Sequence, residues 1–159
     1  MTELTIGDQA PDFTAERDGG TTVQLSSFRP KPVVLFFYPK DNTSGCTTEA
    51  IALTGLSAEF EKAGAVVIGM SPDSVASHDK FIARHGLSMI LASDPDKQTL
   101  EAYGVWKEKS MYGKAYMGVE RSTFLIGPDG AIAAVWRKVK VPGHAEAVLK
   151  AVQELSART

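Results

Sequence analysis

The chain has 159 residues, 43% of them apolar and 23% charged, with a net charge of −2. These values describe a single ordinary globular domain spanning 1–159, large enough to bury a core, and give no electrostatic case for nucleic acid or an anionic membrane as partner. One cysteine, Cys46, excludes an internal disulfide and a thiolate-cluster metal site, so no metal or cofactor is expected, and it fits a reducing cytoplasm.

Residues 4 to 13 read as loop, punctuated by Gly7-Asp8 and Pro11. The opening MTELTIGDQAPDF has neither a basic n-region nor an apolar h-region, so no signal peptide is expected. No apolar run approaches a membrane span. Phe13 and the Thr21 to Leu25 segment, separated by Asp18-Gly19-Gly20, predict a small N-terminal hairpin. Val33 to Tyr38 is an unbroken apolar run, the pattern of a strand buried on both faces. A turn through Pro39 to Gly45 leads to Cys46. A helical pattern begins at Thr47, with Leu53, Leu56 and Phe60 at near-helical spacing and Gly64 as the stop.

Ala65 to Met70 predicts a second buried strand. Ser71-Pro72-Asp73-Ser74 offers N-cap chemistry for a helix carrying Val75, His78, Phe81, Ile82 and His85, closed by Gly86. Met89 to Ala92 reads as a third strand, and Asp94-Pro95 as the start of a short helix ending before Gly104. From Val105 to Glu120 the pattern is lost. That stretch, with Trp106, Met111, Tyr112, Tyr116 and Met117, reads as a long functional or mobile loop. Thr123 to Ile126 and Ala131 to Trp136 flank Gly127-Pro128-Asp129-Gly130, a turn that predicts a β-hairpin. An amphipathic helix closes the chain, with Ala145, Val148, Leu149, Val152 and Leu155 on one face. Strands alternating with helices, then a hairpin and a final helix, make an α/β fold with a mixed central sheet flanked by helices.

Cys46 sits where the first buried strand hands over to a helix. Free backbone N–H groups and the positive end of the helix dipole converge there, and both favour a thiolate. A lone cysteine is also commonly a small buried hydrophobe. An inert core residue, however, has no need of a helix start, nor of the Pro, Thr and Gly crowded into the loop before it.

Pro39, Thr43 and Cys46 are spaced as P-x-x-x-T-x-x-C, which resembles the active-site signature of the peroxiredoxins. The longer phrase FYPKDNTSGCTTE resembles the branch named for the bacterioferritin comigratory protein, also called the Q type. LTIGDQAPDF, YGVW at Tyr103 to Trp106, RSTFLIGPDG at Arg121 to Gly130 and VPGHAEAVL resemble the same branch, in the same order. The resemblance covers nearly the whole chain.

It implies a thioredoxin-like fold and a thiol-dependent peroxidase that reduces hydrogen peroxide and organic hydroperoxides, as a monomer or weak dimer. Cys46 is implied as the nucleophile and Thr43 as the hydroxyl that meets the peroxide. Arg121 would hold thiolate and peroxide through its fork of donors, and Pro39 would shield the sulfur. Backbone N–H groups at Gly45 and Cys46 would complete the cradle. Glu49 matches a supporting position, although an acid early in a helix also has a plain dipole account. An arginine at a strand start usually faces solvent, so the role of Arg121 rests on the resemblance of RSTF.

Two features depart from the branch. Ser44 stands where proline is usual, and the second cysteine of many members is missing. Its usual places hold Ile51 and Ile82, both read as helix-buried apolar residues. An outside thiol, thioredoxin or glutaredoxin with glutathione, would therefore reset Cys46. His78 and His85 read as partly buried packing residues, and His144 as a helix cap. Trp106, Tyr112 and Tyr116 fit either a substrate groove or packing on the sheet. A redox-sensing module is the competing reading. A Cys/His hydrolase or transferase would need a histidine beside Cys46.

Overall fold

A computed structural model describes residues 3–158. The N-terminal hairpin is present: β1 (Thr14–Arg17) pairs antiparallel with β2 (Thr22–Gln24) across the Asp18–Gly20 turn. β3 (Val33–Phe37) follows, then α1 (Ser44–Gly55), α2 (Ser57–Lys62), β4 (Val66–Ser71), α3 (Val75–His85), β5 (Ile90–Ser93) and α4 (Gln98–Ala102). β6 (Trp106–Met111) and β7 (Lys114–Val119) precede β8 (Ser122–Ile126), β9 (Ile132–Trp136) and α5 (His144–Ala157).

Seven strands form one mixed sheet in the order β2-β1-β5-β4-β3-β8-β9. β3, β4 and β5 run parallel at its centre, and β1 and β8 join antiparallel on either side. All five residues of β3 are buried, because both faces of the sheet are covered. Val33, Leu35 and Phe37 enter one core with Phe13, Met70, Tyr103 and Phe124. Val34, Phe36 and Tyr38 enter the other, under the helices, with Cys46, Leu53, Phe81, Leu125 and Val148. An alternating strand with two buried faces explains the missing polar alternation. The N-terminal segment docks beside β9 through Gly7 N–H to the Ile132 carbonyl (2.9 Å) and Ile132 N–H to the Asp8 carbonyl (2.8 Å). That covers an exposed sheet edge. No described helix is long and apolar enough to cross a membrane.

Five expectations change. α1 begins at Ser44, three residues before Thr47. Thr43 is its extended N-cap (φ −85°, ψ 155°), and Thr47 N–H closes the first turn on the Thr43 carbonyl at 2.9 Å. Ser44 and Gly45 are poor helix formers, so the pattern hides this turn. Ser44 is thus the first helical residue, a position where proline is at ease. Next, the expected helix to Gly64 is two helices, broken after Gly55 at Leu56 (φ −105°, ψ 10°). Asp94-Pro95 lies in a turn before α4, although the Asp94 carboxylate still accepts from Leu100 N–H at 2.8 Å.

The predicted loop from Val105 to Glu120 is a β-hairpin. β6 and β7 pair in register from Trp106↔Val119 to Met111↔Lys114, around Tyr112 (φ 54°) and Gly113 (φ 77°). Two consecutive positive φ angles are what a two-residue hairpin turn requires, and Gly113 meets that without strain. Most of its residues are exposed or only half-buried, so no apolar alternation marks it. Finally, Ile51 is 47% exposed on the outer face of α1, while Ile82 packs against the second core as expected.

Candidate active site

Cys46 is the third residue of α1, where first-turn N–H groups have no carbonyl one turn upstream. Its side chain is 1% exposed. Burial and first-turn placement coincide because β3 ends at the rim of the sheet and the Tyr38 to Thr43 loop folds α1 back across its face. Arg121, the residue before β8, meets this point from the neighbouring strand. Its Nη2 donates to Cys46 Sγ at 3.2 Å, and its Nη1 donates to Glu49 Oε1 at 2.8 Å. Glu49 is one turn further along α1 and is itself 1% exposed. Both the solvent account of Arg121 and the dipole account of Glu49 give way to an S···Arg···carboxylate chain in which Cys46 and Glu49 are buried and Arg121 is half-buried.

The charges in this chain bias one another. Burial opposes the charge of Arg121, but the adjacent Cys46 and Glu49 outweigh it and hold the guanidinium above its ordinary pKa. Burial pushes the Glu49 carboxyl up, and Arg121 only partly offsets this. Gly45 lies against the same contact. A Cβ there would stand 3.1 Å from Arg121 Nη2.

Thr43 is not hydrogen-bonded to Cys46. Its hydroxyl donates to the Lys40 carbonyl at 2.8 Å, which leaves its oxygen free to act as an acceptor. Pro39 is half-buried at the head of the loop, directly after Tyr38. The loop is anchored from behind by a hydrogen-bond network that the sequence did not reveal. Asp41, 5% exposed, accepts from Tyr38 Oη (2.6 Å), Ser77 Oγ (2.8 Å) and His78 Nδ1 (2.7 Å). His78 Nε2 faces the Ala92 carbonyl at 2.9 Å, so both ring nitrogens meet oxygen acceptors. Asp73 accepts from Asp41 N–H at 2.8 Å. His78 is therefore a wholly buried polar anchor rather than a partly buried packing residue. The only sequence signal was its place on an apolar helix face. His85 is exposed enough to reach Asn42 Oδ1 at 3.1 Å.

His144 opens α5, but it does not cap it. The ring is buried, with Nε2 2.9 Å from Thr123 Oγ1 and 3.9 Å from Glu49 Oε2. Burial lowers its pKa, and the Arg121 charge adds to the effect.

Two grooves flank the Cys46 turn. One, of about 670 Å³, is lined by Lys107, Lys109, Tyr116, Glu120, Arg121 and Lys138. The other, of about 530 Å³, runs past Ser44, Gly45, Thr48, Val141, Pro142 and Glu146. Tyr116 thus serves the groove, whereas Trp106 packs against the first core under Lys97. Tyr112, at the hairpin tip, is 98% exposed and does neither. Among the described residues no group of three or more His, Cys, Asp or Glu could hold a metal ion. A buried cysteine sulfur held by a guanidinium, beside an acceptor hydroxyl, can attack an electrophilic oxygen and receive the charge displaced from it.

The sequence pattern of the AhpC/TSA family matches residues 6–135. Peroxiredoxin Bcp of Xanthomonas campestris pv. campestris is 49% identical over 142 residues, 89% of each chain. Peroxiredoxin Bcp of Bacillus subtilis is 46% identical over 153 residues, covering 96% of this chain and 98% of that one. A solved structure of the Xanthomonas campestris bacterioferritin comigratory protein, described for its alkyl peroxide reduction activity, superposes with a TM-score of 0.88 at 46% identity. It covers 96% of this chain and 98% of that one. Peroxiredoxin Q of the same organism has been solved as cysteine-to-serine mutants at two positions, which lie as far apart as Cys46 and Ile82 lie here.

Proposed function

The chain belongs to the AhpC/TSA family, within its Bcp or Q-type peroxiredoxins, and is a thiol-dependent peroxidase; from that premise we propose that Cys46 is its peroxidatic residue, served by Thr43, Arg121 and Pro39 and supported by Gly45 and Glu49. The observation that carries this reading is the Arg121 fork, with one amino group on Cys46 Sγ and the other on Glu49.

In the proposed step the Cys46 thiolate attacks the terminal oxygen of a hydroperoxide. An S–O bond forms, the O–O bond breaks, and the departing oxygen takes a proton and leaves as water or alcohol. Sulfur is oxidised to the sulfenic acid. An outside thiol then displaces water from that sulfenic acid to give a mixed disulfide. A second thiol releases Cys46 and carries the electrons away as its own disulfide.

Acidifying the thiol does not by itself supply the rate. Any thiol of pKa ~8.5 is a few per cent thiolate at pH 7, so complete ionisation gains roughly 30-fold. Lowering a thiol pKa by ~2.5 units weakens the nucleophile by roughly tenfold on the Brønsted slope of thiol–disulfide exchange. A few-fold gain remains. The larger contribution comes from groups that meet charge as it moves from sulfur onto the peroxide oxygens. Arg121 donates to both ends of that displacement. The Thr43 oxygen, its own proton committed to Lys40, accepts a hydrogen bond from the hydroperoxide O–H and turns the terminal oxygen toward sulfur.

With Cys46 the only thiol in the chain, no internal cysteine condenses with its sulfenic acid. Thioredoxin, or glutaredoxin with glutathione, is the reductant of this reading. It further takes residues 1–159 as one domain, acting as a monomer or weak dimer in the cytoplasm without metal or cofactor. The Cys/His hydrolase alternative finds no support: among the described residues Arg121 bonds to Cys46 Sγ, and none of the three histidines does. Purified Cys46→Ser and Arg121→Ala variants test the assignment. Cys46→Ser is expected to lose peroxide turnover with its fold intact, and Arg121→Ala to retain a slow residue of it. Wild-type turnover by Cys46→Ser would refute it.

A further inference from the structure

The second oxygen of Glu49 is an anomaly. Oε2 is wholly buried and, among the described residues, has no hydrogen-bond partner, although Oε1 is held by Arg121 at 2.8 Å. A buried carboxylate oxygen without a donor is costly. His144 Nε2 lies 3.9 Å from it and is itself 2.9 Å from Thr123 Oγ1. Nothing in the helix-capping role expected of His144 places its ring there.

We propose that His144 is a positioning residue of the peroxidatic site: its Nε2–H faces both Thr123 and Glu49 Oε2, and by holding Glu49 it keeps the Arg121 guanidinium on Cys46. The inference rests on the assignment of Cys46 and Arg121 above. Three observations support it. A neutral imidazole carries its proton on one nitrogen only. With the proton on Nδ1, the Nε2 lone pair would point at a carboxylate oxygen, whereas with the proton on Nε2 a bond dipole points there. The Thr123 hydroxyl accepts either arrangement, since it donates or accepts equally well, so Glu49 decides between them. The ring is also fixed from the side, because Trp136 packs against it edge-on, with centroids 5.8 Å apart and planes at 82°. Finally, a sub-ångström approach turns the 3.9 Å separation into a charge-assisted hydrogen bond.

The charged and titratable groups facing Glu49 are Cys46 from its own helix, Arg121 from the start of β8 and His144 from α5. Those acting on His144 are Arg121, Glu49 and Glu146. Burial already favours the protonated form of Glu49. Withdrawing the His144 donor favours it further, and a neutral Glu49 no longer pins Nη1.

The test uses the full chain as wild type, His144→Phe and His144→Gln. Nitrogen-15 NMR of the wild type reads the tautomer. Carbon-13 NMR reads the Glu49 carboxyl titration, with Glu49→Gln as the assignment control. Rapid-mixing oxidation by hydrogen peroxide, at a pH where Cys46 is fully ionised, reads the site. The expected results are an Nε2–H tautomer and, for His144→Phe, a Glu49 midpoint higher by about one pH unit with oxidation slowed roughly tenfold. His144→Gln, whose amide N–H can reach the same oxygen, is expected to restore both to within about threefold. An Nδ1–H tautomer would overturn the proposal, even should His144→Phe fail to fold. So would overlapping wild-type and His144→Phe rates, or equal losses in both variants. Slow oxidation of the wild type would refute the peroxidatic assignment itself, and overlapping variants on a fast wild type the His144 inference alone.

Discussion

Gly45→Ala is expected to separate activity from stability, because the two respond to different atoms. The new methyl stands 3.1 Å from Arg121 Nη2, and ordinary contact begins near 3.4 Å, so a few tenths of an ångström must open between α1 and the guanidinium. Cys46 is the next residue on the same rigid turn. Its 3.2 Å contact with Nη2 therefore lengthens toward about 3.6 Å whichever partner moves. At an effective dielectric of about 20, the pair energy falls from about 5.2 to about 4.6 kcal/mol. The same opening weakens by a similar amount the hold of Nη2 on the charge that moves onto the peroxide oxygens, which is about threefold in rate. Loss of hydrogen-bond alignment carries the total toward about tenfold. Stability is expected to move the other way. Gly45 lies inside α1, where alanine is favoured over glycine by up to about 1 kcal/mol. Rapid-mixing oxidation of Cys46 and urea unfolding of the same preparations give both numbers. An unchanged rate, or a slower rate accompanied by lower stability, would refute the reasoning.

Thr43→Val removes the acceptor hydroxyl at constant shape. A rate loss of roughly 2–4 kcal/mol is expected, beyond anything that a separately measured change in thiolate fraction explains. A loss that tracks thiolate fraction alone would defeat the transition-state argument. Asp41→Asn faces three donors, two of them buried, with an amide and removes the charge opposite His78. Unfolding free energy is expected to fall by about 3 kcal/mol, and a change under 1 kcal/mol would show that the anchor is dispensable. Ile82→Cys is expected to form a disulfide with Cys46 after limiting peroxide only as α3 loosens, seen as faster amide hydrogen exchange across 75–85. Ile51→Cys, on the exposed face five residues after Cys46 and about 140° around an ideal helix, requires α1 to unwind. A disulfide formed with either helix fully protected would contradict the geometry.

The strands at the sheet centre were legible because burial on both faces leaves an uninterrupted apolar run, as in Val33 to Phe37. Ser74 and Gly86 marked α3 for the same local reason, since a serine accepting from Ser77 N–H and a glycine in the left-handed region are cap chemistry readable one residue at a time. The β6–β7 hairpin was not legible. A ribbon outside the main sheet keeps little apolar periodicity, and its turn hides in a single Tyr-Gly pair. α1 was displaced because Ser44-Gly45 breaks propensity where the dipole is wanted. At the site, the family resemblance led to Cys46, Arg121 and Glu49, but not to their depth. His78 and His144 act across 37 and 95 residues of chain, on Asp41 and Glu49. Local pattern carries no record of such pairings, so it presents one as packing and the other as a cap.

The central claim, that Cys46 cycles through a sulfenic acid which only an outside thiol can resolve, is tested by treating the chain with limiting hydrogen peroxide and dimedone and reading intact mass and peptide maps under non-reducing conditions. The account predicts one dimedone adduct per chain, on Cys46. With an added thiol in place of dimedone it predicts a mixed disulfide, and with excess peroxide and no reductant a sulfinic acid. Peroxide consumption that leaves Cys46 unmodified, or quantitative Cys46–Cys46 linkage between two chains with no trappable sulfenic acid at any time, would contradict it.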